Sequence, residues 1–387
     1  MIKIKYIDTF CWGVMHQQIN ASILKMLSML YPGNIKYYAG STQKNNVELL
    51  FNMTDTVEYH SIYVRGGGDP KSILLRFFIS CIQNIRFMVC SSRDTLLIYN
   101  YDNPFSLFLM DFINRFYRRR ILVFCHGEIE LLERNGNCST FFKLLRWILR
   151  CYFLKYRKIQ KDIFFCVLGD SILNNLKNIL TIEQIAQFVS VGHPYIFSKN
   201  NNPIKKRNNK YCLGTVGEFA KSKGAESFIK LVKRFTNRED VSFSVTGSVA
   251  YGYDELLACN VSLPSKTGKG PLDSSEYERR ISELDCILYF YPHDSYRLTA
   301  SGAILDAVKF EKPIIAIRNN YFDYFFSKYG EIGYLVNDIE EMEEIILPIL
   351  NNKMDIQIDF ASIKQKLSPE RISVELKLVL DRIFDNK

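Results

Sequence analysis

Asp294-Ser-Tyr-Arg-Leu-Thr-Ala-Ser-Gly-Ala-Ile-Leu-Asp306-Ala-Val-Lys-Phe-Glu-Lys-Pro-Ile-Ile-Ala316 lies between two apolar, β-rich runs, Cys286 to Tyr291 and Pro313 to Ile317. A loop followed by a helical pattern between two such runs predicts a βαβ unit. The helix is expected to start near Ser301. The N–H groups of Thr299, Ala300, Ser301 and Gly302 then point out of the helix start, the helix dipole favours negative charge there, and Gly302 lets a ligand approach closely. A diphosphate fits that description. Asp306, one turn further on, is placed to accept hydrogen bonds from a ribose, so the segment reads as a nucleotide-diphosphate site.

The chain around this segment alternates strands with helices. Tyr211 to Val216, Val241 to Thr246, Cys286 to Tyr291 and Pro313 to Ile317 read as strands. Ala225 to Phe235, Ser274 to Leu284 (capped by Ser274 or Ser275), Ser301 to Phe310 and an acidic stretch near Ile339 to Leu350 read as helices. That order predicts a parallel sheet covered on both faces, with ligands at the carboxyl ends of its strands. A last amphipathic helix, capped by Ser368 with Pro369 at its first position, runs to about Phe384 and is expected to pack on a neighbouring domain. Toward the N-terminus, Ile2 to Tyr6, Thr95 to Tyr99, Ile121 to Phe124 and Phe164 to Val167 are short apolar runs suited to buried parallel strands.

Length and charge divide the chain. For 387 residues about two domains are expected. Residues 1–199 hold 24 Lys and Arg against 14 Asp and Glu, whereas residues 200–387 hold 26 against 27. The polar run from Ser198 to Lys210 between them reads as a linker. The expected organisation is therefore domain 1–199, linker 200–210, domain 211–366 and a C-terminal helix 367–387 returning to the first domain.

Composition narrows the class. With 47% hydrophobic and 24% charged residues the chain is a folded protein and not a disordered one. Its ten cysteines show no C-x-x-C pair and no zinc-type spacing, so no structural metal and a reducing, cytoplasmic setting are expected. The first ten residues read as a strand and not as a signal peptide. Ile73 to Cys90 is apolar but broken by Arg76, Gln83, Asn84 and Arg86; it reads as a buried helix followed by a strand, not as a membrane span.

Several stretches together resemble a known family. Gly214-Thr-Val-Gly217-Glu-Phe-Ala-Lys-Ser-Lys223-Gly224, Asp285-Cys-Ile-Leu-Tyr-Phe-Tyr-Pro292, Ser301-Gly-Ala-Ile-Leu-Asp306-Ala and Lys312-Pro313-Ile-Ile-Ala, in that order, are similar to the donor half of GT-B glycosyltransferases. Val123-Phe-Cys-His126-Gly127-Glu128 and Gly192-His193-Pro194-Tyr195 resemble short signatures of members acting on bacterial surface polysaccharide such as O-antigen or capsule. The resemblance implies an α/β, GT-B architecture: two doubly wound Rossmann-like domains with parallel sheets facing across a cleft. It also implies transfer of a sugar from a nucleotide diphosphate sugar, held mostly by the second domain, to a saccharide or lipid-linked saccharide held by the first. Gly217 would open the first donor loop, Lys223 contact the diphosphate and Asp306 bind the ribose. The chain departs from the pattern at Glu218, where an arginine is common, and at Arg297, Leu298 and Thr299, where a glutamate often stands. Arg297 then supplies positive charge.

The sugar nucleotide is a co-substrate; no cofactor is expected. Fixed cations can stabilise a leaving diphosphate without a metal ion, and the chain has no Asp-x-Asp pair. His126 follows a strand, so it is either the general base or a plain buried histidine, and Glu128 is the rival base. Gly13 and His16 lie in a loop resembling the first acceptor loop. Lys223-Gly224 also reads as a simple turn before a helix.

Lys143, Arg146, Arg150, Arg157 and Lys161 recur among aromatic residues, and Arg115, Arg118, Arg119 and Arg120 follow the same sign. This is either a helix lying on an anionic inner-membrane surface or an ordinary solvated face over a core. Two other functions fit less of the chain. A sugar-nucleotide epimerase of the same fold would show more paired carboxylates and histidines than five histidines allow. A nucleic-acid binder would explain the basic half, but no nucleic-acid motif accompanies it.

Overall fold

The computed structural model describes residues 2–51, 56–133, 139–155, 158–197, 210–264, 272–351 and 357–385. Packing divides them into two units. Unit 1 comprises Met1–Ile196, Leu298–Ala300 and Leu367–Lys387, and unit 2 comprises Phe197–Arg297 and Ser301–Lys366. The run read as a linker falls, apart from Lys210, outside the described residues.

Unit 1 runs β1 (Lys3–Ile7), α1 (Gln17–Leu30), β2 (Ile35–Gly40), α2 (Ser41–Phe51), β3 (Val57–Ile62), α3 (Pro70–Cys90), β4 (Thr95–Tyr99) and α4 (Pro104–Tyr117). It continues with β5 (Arg120–Phe124), α5 (Thr140–Arg150), β6 (Ile163–Val167), α6 (Asp170–Leu176), α7 (Ile182–Ile185) and β7 (Phe188–Ser190). The strands form a parallel sheet in the order β3-β2-β1-β4-β5-β6-β7. Both faces are covered, as β4 shows: Leu96 and Ile98 enter one apolar cluster, Leu97 and Tyr99 the other.

Unit 2 runs β8 (Tyr211–Val216), α8 (Ala225–Arg234), β9 (Val241–Thr246), α9 (Tyr253–Ala258), α10 (Ser274–Ser282), β10 (Cys286–Tyr289) and α11 (Ala303–Lys309). It then adds β11 (Ile314–Ile317), α12 (Asn320–Tyr329), β12 (Gly333–Val336), α13 (Ile339–Leu350) and α14 (Phe360–Leu367), with sheet order β12-β11-β10-β8-β9, again parallel. The final helix, α15 (Pro369–Asp385), belongs to unit 1, where Ile372, Leu376, Leu380 and Ile383 join the core that α1 lines.

Four local expectations change. α10 is capped by Asp273, whose carboxylate accepts from the Ser275 N–H, because a carboxylate one residue upstream outcompetes either serine for the helix-start N–H groups. Pro70 to Cys90 is one continuous helix, with no strand inside the run: Asp69 caps it, and Arg76, Ser80 and Asn84 find hydrogen-bond partners at helical spacing. The cationic stretch after residue 140 is not one helix, since α5 ends at Arg150 in a π-helical turn, Cys151–Lys155, Lys161 sits in the turn before β6, and Arg157 lies outside the described residues. Arg119 is buried, with Nε donating to the Met88 carbonyl, and Arg120 lies over the Phe384 ring, so neither extends a surface patch.

One constraint orders the strand ends of unit 2. Gly247, just after β9, has φ 142°, and a Cβ there would sit 1.8 Å from the Gly217 carbonyl oxygen. Main chain meets main chain with no room for a side chain. Gly247→Ala should destabilise unit 2 by about 3 kcal/mol through strain, read as a lower urea midpoint for a two-unit chain; an unchanged midpoint would mean the loops relax freely.

Candidate active site

Two clusters of functional groups form, one at the carboxyl ends of the strands in each unit, where open parallel sheets bind ligands.

In unit 2 the chain leaves β8 through Gly217, whose φ is 86° and whose N–H donates to the Thr246 carbonyl at 2.8 Å. The Phe219 N–H then donates to Ser248 O at 2.8 Å, and a single 3-10 turn, Lys221–Lys223, delivers the chain to Gly224. At Gly224 φ is 78°, and a Cβ would lie 1.9 Å from the Phe290 carbonyl oxygen. The Lys223-Gly224 turn is therefore pressed against the end of β10, the strand next to β8. Lys223 is half-buried, with Nζ 4.0 Å from a Glu218 carboxylate oxygen. Burial lowers its pKa and Glu218 opposes that shift. The ammonium is held at the loop with one partial counter-charge.

The loop after β10 carries Arg297, half-buried, and then Ser301 and Gly302. The Tyr289 hydroxyl donates to the Ala303 carbonyl at 2.6 Å and fixes the start of α11 to its strand. Asp306 is half-buried, and its Oδ2 accepts from the Tyr277 hydroxyl at 2.9 Å. Gly217, Glu218 and Lys223 thus follow β8, and Ser301, Gly302 and Asp306 follow the neighbouring strand β10. Thr299 and Ala300 precede the helix instead of starting it. The helix starts at Ala303 with Gly302 as its N-cap residue, and Leu298–Ala300 pack in unit 1. Leu298 is the cause: it is 1% exposed in an apolar cluster of unit 1, and its N–H donates to Glu130 at 2.7 Å.

In unit 1, Asp8 follows β1, Asn100 and Asp102 follow β4, His126 follows β5 and His193 follows β7. Asp8 Oδ1 accepts from the Cys11 N–H at 2.8 Å, and Oδ2 from Asn20 at 2.7 Å. That shapes the loop leading to Gly13, φ 64°, and His16, which has a strained φ of 56° for a non-glycine residue. The His16 and His126 rings meet with centroids 4.3 Å apart. His126 Nε2 lies 2.9 Å from the Asn100 carbonyl. A carbonyl only accepts, so Nε2 carries the hydrogen and Nδ1 is the proton-accepting nitrogen. Burial drives the His126 pKa well down, with His16 and His193 adding to it, so the imidazole is neutral at pH 7.

Gly13, His16, His126 and Glu128 are thus gathered in one unit. One Glu128 oxygen is buried, and the carboxylate raises the pKa of Asp102 and of Tyr101. Asp102 is fully buried; burial, then Glu128, push its pKa well up, against the main-chain N–H groups of Asp102 and His126. Among the described residues no three His, Cys, Asp or Glu side chains are arranged to hold a metal ion.

No protein-family model matches this sequence, and no curated protein matches it in sequence. Solved structures share its fold. The apo form of the lipopolysaccharide outer core galactosyltransferase WaaB gives a TM-score of 0.59 at 10% identity, over 98% of this chain and 99% of that one. TarM gives 0.64 at 12% identity, over 100% and 99%. Alr3699/HepE of Anabaena, in complex with UDP-glucose, gives 0.61 at 11% identity, over 99% and 100%. The chain has the GT-B glycosyltransferase fold.

Within this GT-B chain, sequence reading alone passes over Asp8, Asn100, Asp102 and Tyr277. The first three are polar residues standing directly after apolar strands, a signal that becomes usable once the strand order is known. Tyr277 has no such signal, because only the packing of α10 against α11 brings its hydroxyl to Asp306.

The buried groups of unit 1 predict opposing pH effects. Asp102, raised above its ordinary value near 3.8, keeps a proton that the unfolded chain has lost, so its contribution to stability falls as pH rises above about 4. Asp102→Asn should therefore gain stability relative to the natural chain between pH 4 and 7. His193, lowered to about 4, stays neutral where the unfolded chain takes up a proton, so stability is lost as pH falls from about 6.5 to 4. His193→Gln should flatten that acid limb. Thermal midpoints against pH for both variants check the two signs.

Proposed function

We propose that the chain transfers a sugar from a nucleoside diphosphate sugar to a saccharide acceptor. The observation that carries this reading is the unit 2 loop pair: a half-buried Lys223 clamped by Gly224 to the end of β10, and Asp306 on the helix that follows that strand. A cation held at a strand end suits the diphosphate, and a carboxylate with one oxygen already oriented by Tyr277 suits the ribose hydroxyls.

Departure of the diphosphate builds negative charge on its β-phosphate. Lys223 and Arg297 stabilise that charge without reorganising, which is commonly the largest catalytic contribution, and these fixed cations make the transfer metal-independent. Unit 1 takes the acceptor, with Gly13 and His16 in its binding loop. His126 Nδ1 or the Glu128 carboxylate receives the acceptor hydroxyl proton. UDP-glucose bound to the fold neighbour HepE supports a uridine donor. WaaB, a lipopolysaccharide outer core galactosyltransferase, supports a lipid-linked acceptor in cell-surface polysaccharide synthesis; on this reading the chain works at the cytoplasmic face of the membrane.

Nucleotide release measured over a panel of UDP-, GDP- and CMP-sugars with membrane extract as acceptor tests this. One donor class should turn over. Lys223→Ala should lower the rate about 100- to 1,000-fold, and Asp306→Ala should abolish most turnover, both with unchanged thermal midpoints. Natural rates in both variants would remove the site assignment.

A further inference from the structure

Helices α3, α4 and α5 cover the same face of the unit 1 sheet, since Phe77 and Met88, Leu107 and Met110, and Leu145 and Leu149 all enter one cluster. Two of these helices also bury polar residues and leave apolar ones exposed. A helix on a water-soluble surface turns its apolar stripe to the core and its polar side to water. On α3 the buried positions include Ser72, Arg76, Ser80 and Asn84, four residues apart, while Leu74, Leu75, Phe78 and Ile82 are exposed. The inward polar groups are satisfied: Thr9 bonds both Ser80 at 2.7 Å and Asn84 at 2.8 Å, and Arg76 Nε donates to Arg65 O at 2.6 Å. On α4, Ser106, Asp111 and Asn114 are buried while Phe108, Leu109, Phe112 and Phe116 are exposed.

On α5 the exposed residues include Phe142, Leu144 and Trp147, the last 61% exposed. These three helices hold eleven of the twenty exposed large apolar side chains found among the described residues. Unit 2 holds one, Leu257. So concentrated a patch marks an interaction surface. Its charge selects the partner. α3 and α5 contain no acidic residue, and the one acid of α4, Asp111, is fully buried and paired with Arg115. Lys71, Arg86, Arg115 and Lys143 are exposed at the rim, with Arg146 half-buried. α3 is also long and apolar enough to cross a membrane by length and composition, yet about a third of its apolar window is buried against unit 1. It lies on its own sheet and presents its outer side.

We infer that the outer face of α3, α4 and α5 docks on an anionic lipid bilayer, with Phe, Leu, Ile and Trp side chains entering the headgroup–acyl boundary and the basic rim meeting acidic headgroups. The inference stands apart from the transfer reading, because it concerns a face that carries none of the groups assigned to donor or acceptor.

The full chain, floated with phosphatidylcholine vesicles with and without phosphatidylglycerol, tests it. Binding is expected with the anionic vesicles and should weaken with salt. Lys143→Gln and Arg146→Gln should each weaken it about fivefold, and Phe78→Ser with Phe112→Ser roughly tenfold or more, with thermal midpoints unchanged or raised. In a Trp12→Phe background Trp147 is the sole tryptophan; its emission should shift to the blue and be quenched by brominated acyl chains. No binding, equal binding to both vesicles, or Trp147 left in water would overturn the inference. So would a concentration-dependent dimer, dispersed by the Phe78 and Phe112 changes, that binds no vesicle; the face would then belong to a second copy.

Discussion

The strand-end geometry of unit 2 depends on two places where backbone meets backbone with no side chain between. Gly217 and Gly247 bring the ends of β8 and β9 together, and Gly224 brings the first loop against Phe290 at the end of β10. Gly224 and Gly247 each require a residue without Cβ, because the built Cβ would overlap a carbonyl oxygen, and φ is positive at all three glycines. Those contacts give Lys223 a fixed station at a strand end; without them the lysine would sit on a loose surface loop. Preorganisation of this kind is what lets one ammonium stabilise a leaving group strongly.

The units divide the chemistry by kind of charge. Unit 2 presents half-buried cations and a carboxylate oriented by a phenol. Unit 1 presents imidazoles kept neutral by burial beside a buried carboxyl group that burial keeps protonated. Neither set could replace the other, since a diphosphate needs fixed positive charge whereas a sugar hydroxyl needs a proton acceptor.

Much of this is legible in the sequence, and the failures share a cause. Tyr211–Val216, Val241–Thr246, Thr95–Tyr99 and Ile339–Leu350 are readable to the residue, because buried strands and a capped amphipathic helix carry strong periods. β2, β3, β7 and β12 give no comparable signal. β3 and β12 lie at sheet edges and are partly exposed, β2 alternates buried and exposed residues, and β7 has three residues, so none makes a continuous apolar run. Local pattern places Thr299 and Ala300 at a helix start that in fact begins at Ala303, because the pull of Leu298 into another core is a tertiary effect. α3 misleads for a related reason. Arg76 and Asn84 look like breaks in a buried helix, whereas they lie on the buried side of a helix that leaves Leu74, Leu75, Phe78 and Ile82 exposed.

The central claim is that those glycine-fixed loops hold a nucleotide. Hydrogen exchange of the full chain with and without uridine diphosphate reads this amide by amide. Slowed exchange is expected at 217–224 and 301–306, with β9 and β12 unchanged. Slowed exchange confined to other segments, with both loops unaffected at saturating nucleotide, would contradict it.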